Sequence, residues 1–387
     1  MLRRRLLLAA TSIFLSIAPS VPAAELLPVA GGNQTVVVTP GGGVWIWGYR
    51  GRGDADKRAA IVRPVRVEAL SDITAVSVSS QFHFLALQHD GRVYAWGWNF
   101  FGQLGNGSLA NRAAPAVVKL PRKVVAVAAG GDFSLALTAE GVVWAWGWNR
   151  SGQLGESGTD VRVVPARIRQ LSGVRSIAAG FTDAYAVGAD GRAWTWGRDS
   201  VNSVLHEEPI VISGLDRIAK VVSGGEHALA LKTDGSVWAW GLNPEGRLGD
   251  GSRETRAHPV SVRGLHDIVA VAAGRFHSLA LQRDGTVWAW GGNDHGQLGV
   301  GTTADSDIPV RVAVLDKVKR IAAGAYHNLA LRSDGSFWTW GGNATGQLGD
   351  GTTIQRNRPT RIQSQFGAKN VSSGAGAYFE SKADNRQ

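Results

Sequence analysis

One short pattern, Trp-x-Trp-Gly, recurs along this chain and limits what it can fold into. It starts at Trp45, Trp144, Trp194, Trp238, Trp288 and Trp338, and at Tyr94 where the first Trp is replaced. The steps between these seven copies are 49, 50, 50, 44, 50 and 50 residues. Thirteen of the fifteen tryptophans lie inside the copies, and Trp98 and Trp148 follow directly after two of them. A period near fifty through almost the whole length implies one repeat architecture, not the two or three domains that 387 residues would otherwise suggest.

Each period has the same internal order. In the copy from Pro259 to Gly301, short extended runs cover 259–262, 268–274, 277–281 and 286–290. Their alternation has period two, which marks strands. Asp284-Gly285 divides the last two runs, and its counterparts are Asp90-Gly91, Glu140-Gly141, Asp190-Gly191, Asp234-Gly235 and Asp334-Gly335. Asp-Gly between alternating strands predicts a two-residue hairpin. Four strands per period, seven times over, with no helical periodicity, predict an all-β fold: a seven-bladed β-propeller of four-stranded antiparallel blades. Ring closure then removes most exposed sheet edges.

The tryptophans read as packing groups. On a strand, Trp288 and Trp290 share one face while Val287 and Ala289 share the other. The expectation is that the rings meet small Ala or Thr residues of the next blade. The structural set is Trp45, Trp47, Trp96, Trp144, Trp146, Trp194, Trp196, Trp238, Trp240, Trp288, Trp290, Trp338 and Trp340. A buried Trp hides roughly 150–250 Å², worth about 4–6 kcal/mol as an upper bound. With no cysteine in the chain, packing has to carry the fold without disulfides.

After five of the seven copies comes Asn-x-x-Gly-Gln-Leu-Gly, at 99–105, 149–155, 293–299 and 343–349, and at 243–249 with Arg247 in place of Gln. Asn begins such a turn by accepting from backbone N–H groups ahead of it; the Leu can plug into the blade and the Gln can bridge blades. The first copy has 49–56 in its place. The fourth has 198–209 and loses six residues, which reads either as a tolerated loop change or as a recognition feature carrying His206, Glu207 and Glu208.

The run from Gly274 through His277, Asp284-Gly285, Trp288, Trp290, Asn293 and Gly296-Gln297-Leu298-Gly299 resembles the repeat of the regulator of chromosome condensation family. The resemblance covers about residues 29 to 379 and implies the same seven-bladed propeller. The predicted boundaries are a leader at 1–24, the propeller at 25–379 and a tail at 380–387. Residues 371–379 look like two strands of a further repeat, which either close the ring against the first blade, the favoured expectation, or begin a truncated eighth.

The leader is read from Arg3-Arg4-Arg5, the apolar stretch 6–18 and the small residues up to Ala24. Such a segment is an export signal, too short for a spanning helix. The protein is therefore expected to be exported, monomeric and without an integral membrane segment. The chain carries a net charge of +10. Without the leader, 38 basic residues face 31 acidic ones. This charge is spread thinly, so no nucleic-acid partner is expected.

His83, His227, His277 and His327 occupy one repeated slot, with Phe133 and Asp183 in others. Repetition at a strand start predicts structural hydrogen bonds, and no cofactor, metal or catalytic residue is assigned. Function is expected in turns that vary between copies on a fixed scaffold. One set, near the axis, offers Phe82, Asp132, Phe181, Glu226, Arg275, Phe276 and Tyr326; the other, inside the Asn-x-x-Gly turns, offers Phe100 and Phe101. Aromatic residues with Arg are common anchors in interfaces. The expected function is a non-enzymatic protein-binding propeller. It is similar in type to the secreted β-lactamase inhibitory proteins built on this repeat. The alternatives are a guanine-nucleotide exchange factor for a small GTPase, as the family resemblance implies, and a propeller lyase or glycan-acting enzyme.

Overall fold

The computed structural model describes residues 25–49, 60–80, 83–121 and 123–363. It is a ring of seven four-stranded antiparallel sheets, each built from four consecutive strands. The blades span residues 27–66, 73–118, 124–167, 174–211, 218–261, 268–311 and 318–362. The sixth shows the plan: Ile268–Ala273 is innermost, followed by His277–Gln282, Val287–Gly291 and, outermost, Ser306–Arg311.

The frame of the repeat differs from the sequence reading by one strand. The run at 259–262 overlaps Arg256–Ser261, the outer strand of the fifth blade, where Val260 pairs with Ala239. The tryptophans therefore sit on the third strand of a blade, not the fourth. The hairpin at Asp284-Gly285 also differs. The Gly285 N–H donates to the Gln282 carbonyl and the Gln282 N–H to that of Thr286. Gly285 has φ of +89°. This is a three-residue loop, a turn closed by a left-handed glycine, and not a two-residue one.

Each blade interface has its own apolar cluster. Between the fifth and sixth blades, Trp290 and Ala280 pack on Leu229, Leu231, Val237 and Ala239. The tryptophan face thus meets the preceding blade, not the next one, and meets Leu and Val as well as Ala. The two tryptophans of a pair divide the work. Trp47, Trp96, Trp146, Trp196, Trp240, Trp290 and Trp340 are buried. Trp45, Trp144, Trp194, Trp238, Trp288 and Trp338 are half-buried. Trp288 donates to the Gln282 side chain over its own hairpin.

A polar chain crosses the interfaces beside the apolar one. The indoles of Trp146, Trp196, Trp290, Trp340 and Trp47 donate to the backbone carbonyls of Gln103, Gln153, Arg247, Gln297 and Gln347 of the preceding blade's turn. Three of these carbonyls also accept from the hydroxyls of Ser134, Ser278 and Thr35. Those hydroxyls, with their hydrogens committed, stand 2.8–2.9 Å from Nε2 of His83, His227 and His327. His277 lies 2.6 Å from the Asn328 Oδ1, and the Asn328 amide donates to Gln297. All four imidazoles must therefore carry their proton on Nε2, and Nδ1 is left without a partner.

The ring closes between the seventh and first blades by this same scheme, with Trp47 and Val37 on Leu329, Leu331 and Phe337. The first blade already has four strands from residues 27–66. Residues 371–379, expected to close it, lie outside the described residues.

Candidate functional site

The predicted turns do gather at one end of the axis. The ends of all seven inner strands, from Gly31-Gly32 to Gly324-Ala325, surround a shallow opening of about 90 Å³ there. Phe181 and Arg275 line it. The fixed part of the second set of turns is held by its Asn. Asn293 accepts from the Leu298 N–H and donates to the carbonyls of Thr302 and Ala304. Leu298 is fully buried. The Gln side chain mainly holds its own turn, as when Gln297 accepts from the His295 N–H. The bridge between blades is made by its backbone carbonyl, although Gln103 does reach Asp132 of the next blade at 3.1 Å.

The two sets of turns merge on this face. The Arg275 guanidinium lies over the rings of Phe181 and Phe276, at 5.1 and 5.2 Å. Phe276 stacks on Tyr326 at 5.1 Å, and His295 packs edge-on against Tyr326 at 4.7 Å. Arg247 lies under Phe276 at 5.1 Å and is itself buried. It holds Glu226 at 3.3 Å, Glu245, and the Arg275 carbonyl. The result is one connected strip of aromatic rings, guanidinium groups and carboxylates from the fourth to the seventh blade. Arg275 is exposed, while Phe181, Glu226, Phe276 and Tyr326 are half-buried.

A second, separate patch lies on the second and third blades. Phe100 is 55% exposed and packs edge-on against Trp98. Phe101 leans on Trp148. Asp132 sits beside this patch, and burial raises its pKa to about 6. Phe82 lies outside the described residues. The structure thus joins Phe181, Glu226, Arg275, Phe276 and Tyr326 in one strip, and leaves Asp132, Phe100 and Phe101 apart from it.

Family models described as the regulator of chromosome condensation (RCC1) repeat match residues 90–137 and 140–182, and also 73–103 and 124–153. A model described as an RCC1-like domain matches residues 200–380. The chain belongs to the RCC1 repeat family. The ultraviolet-B receptor UVR8 of Arabidopsis thaliana is 34% identical over 108 residues, which are 26% of this chain and 24% of that protein. The human E3 ubiquitin-protein ligase HERC2 is 36% identical over 115 residues, 27% of this chain and 2% of its own length. Each match thus spans well under a third of the relative. Prp20p from Saccharomyces cerevisiae, solved in a study of its binding to Gsp1p and histones, superposes with a TM-score of 0.73 at 25% identity, over 88% of both chains. Human WBSCR16 superposes at 0.74 and 22% identity, over 84% of this chain and 95% of its own.

In this RCC1-repeat protein, sequence reasoning did not place Arg247 in the site. The signal was present, because Arg stands there in the Gln slot of the turn. The repeated histidines are structural, as their spacing predicts. Among the described residues, no group of three or more His, Asp or Glu is placed to hold a metal, and no helix is long and apolar enough to cross a membrane. In the shortened fourth copy, Glu207 and Glu208 are exposed on the outer strand Leu205–Val211, whereas His206 turns toward a cleft between blades.

Proposed function

We propose that this is an exported, non-enzymatic propeller that grips a partner protein with the strip formed by Phe181, Arg275, Phe276 and Tyr326. One observation carries the reading: aromatic and Arg side chains from separate blades stack on one another at a single face, which is the make-up of an interface hot spot. The ionic network under the strip holds it in place before binding, which lowers the ordering cost. A partner with a concave, acid-edged surface fits it, and an enzyme blocked at its active-site mouth, such as a β-lactamase, is the specific form of this idea. Export rests on the leader at residues 1–24.

The likeness to Prp20p supports a second reading, regulation of a small GTPase, with which the leader disagrees. Two measurements decide. N-terminal sequencing of the protein from an exported fraction should begin near Glu25; an uncleaved cytosolic chain would overturn export. A partner captured by the wild type should be lost by a folded Arg275→Ala, Phe276→Ala, Tyr326→Ala variant. Retention of that partner would remove this face from consideration.

A further inference from the structure

The interface between the fourth and fifth blades lacks what five of the other six have. Its copy has no Asn-x-x-Gly-Gln-Leu-Gly turn, so no Leu plug joins its cluster, where Leu154, Leu248, Leu298 and Leu104 serve elsewhere. No Gln-slot carbonyl stands before Trp240 either. Tyr185, in a slot that is Leu in most copies, packs edge-on against the Trp240 ring at 5.9 Å and donates to the Asp183 Oδ2 at 2.5 Å. Asp183 stands in the slot that holds His in four blades, and the residue across from it is Ala228 where those four histidines meet Ser, Thr or Asn. Its Oδ1 has no partner, although the residue is only 7% exposed.

A cavity of about 310 Å³ fills the vacated space, at the small end of the range for ligand sites. The short loop at 199–204 contributes Asp199, Ser200, Asn202 and Val204 to its wall. Asp183, Tyr185, Trp196 and Trp240 form its deeper side. No lysine or arginine lines it, in a chain that has 41 of them. Two carboxylates, three aromatic residues, three histidines and several aliphatic groups, without a lysine or arginine, make a recognisable environment. An ammonium or guanidinium group is attracted both to carboxylates and to aromatic faces.

We propose that the cleft between the fourth and fifth blades binds a small organic cation, a primary amine or guanidinium on an apolar body, with Asp183 and Asp199 as its counter-charges. The apolar body lies against Ile210, Ile212 and the indoles. Burial, with the Asp199 charge nearby, pushes the Asp183 pKa up to about 7, as expected of a carboxylate whose charge has no partner. The site is independent of the aromatic strip and does not rest on it.

The test uses the purified protein with phenethylamine and agmatine as probes and 3-phenylpropionate as the anionic control, followed by calorimetry and tryptophan fluorescence. Both cations should bind saturably and raise the unfolding temperature, and the anion should do neither. Asp183→Asn should weaken amine binding about tenfold or more, the effect of losing one buried ion pair. Asp199→Asn, on the loop, should weaken it by a smaller factor and serves as the decisive variant if Asp183→Asn does not fold. The Arg275, Phe276 and Tyr326 triple variant should bind the amines normally. Equal binding of 3-phenylpropionate, no saturable binding of either cation to folded protein, or wild-type affinity in both Asp variants would overturn the proposal.

Discussion

Acid should unfold this ring through its four interface histidines. Each imidazole donates from Nε2 and has a bare, buried Nδ1, so a second proton would have no acceptor. Burial lowers the pKa of His83 and His327 to about 3, that of His277 to about 4, and that of His227 well below its ordinary value. A depressed histidine stabilises the fold fully above its unfolded pKa of about 6.5, and that stability is lost as pH falls toward the folded value. At pH 5 the unfolded chain gains about 1.5 pH units of protonation free energy per histidine, or about 2 kcal/mol each and about 8 kcal/mol for four. Two acids act in the opposite sense, because their folded pKa values are raised to about 7 for Asp183 and about 6 for Asp132. Between pH 7.5 and 5 they return about 2.5 kcal/mol and, after discounting Asp132 for its partial exposure, about 1 kcal/mol. The net loss is about 4–5 kcal/mol, a large part of an ordinary domain's stability. Guanidinium unfolding followed by tryptophan fluorescence at both pH values would show it as a lower midpoint at pH 5. His327→Gln isolates the cause. Gln keeps a donor for Thr35, and the first blade already has Gln34 in this slot. The variant should lose about 2 kcal/mol less than wild type over the same pH interval. An unchanged or higher midpoint at pH 5, or a wild-type pH dependence in His327→Gln, would refute the reasoning.

Two further outcomes concern the binding face. Arg247→Ala leaves Glu226 and Glu245 facing each other without their cation, and should cost about 3 kcal/mol, the low end for breaking a buried pair because both carboxylates reach solvent. Arg247→Gln, which restores the residue of the other four turns, should recover part of that loss in the same unfolding measurement. Gly225 has φ of +105°, and a Cβ there would come within 2.6 Å of the Phe181 ring. Gly225→Ala should therefore displace Phe181 from Arg275 and weaken partner binding while lowering stability by about 1–2 kcal/mol; unchanged partner affinity would show that Phe181 does not contribute.

The blade count was legible in the sequence because every blade repeats one tryptophan strand. The phase of the repeat was not. A periodic sequence has no marked beginning, and the run at 259–262 lies nearer in the chain to Ile268 than to its true partner Ala239. The long Asn-turn carries the chain back to the outer edge of the same sheet, and only pairing shows this. Likewise, the variable turns were legible as candidates, but their grouping was not. Phe181 reaches past the fifth blade to Arg275 because Gly225 leaves room for its ring. That contact joins residues 94 positions apart across a glycine in the variable turn slot that Phe181 and Arg275 occupy in their own blades.

The fourth copy shows why a missing element can say more than a present one. Six absent residues look like a loop trimmed at no consequence. Yet the turn they belong to supplies, in five other interfaces, an apolar plug and a carbonyl for an indole. A neutral deletion would leave Trp240 unsatisfied and the strand residues of the blade unchanged. Instead the same blade carries Tyr185 and Asp183 in the Leu and His slots, hydrogen-bonded to each other and with the Tyr185 ring edge-on to Trp240. The two substitutions set an aromatic ring against the indole but leave the volume unfilled, and they place a buried carboxylate in a slot where no other blade has one. If the shortening were only tolerated, an apolar side chain in place of Asp183, facing Ala228, would close the gap at lower cost, as Phe133 against Ala184 does one blade earlier. Asp183→Phe, with Tyr185 kept against the Trp240 ring, should accordingly raise the unfolding temperature, and that gain in stability is what the wild-type chain forgoes by keeping an acidic cleft at this interface.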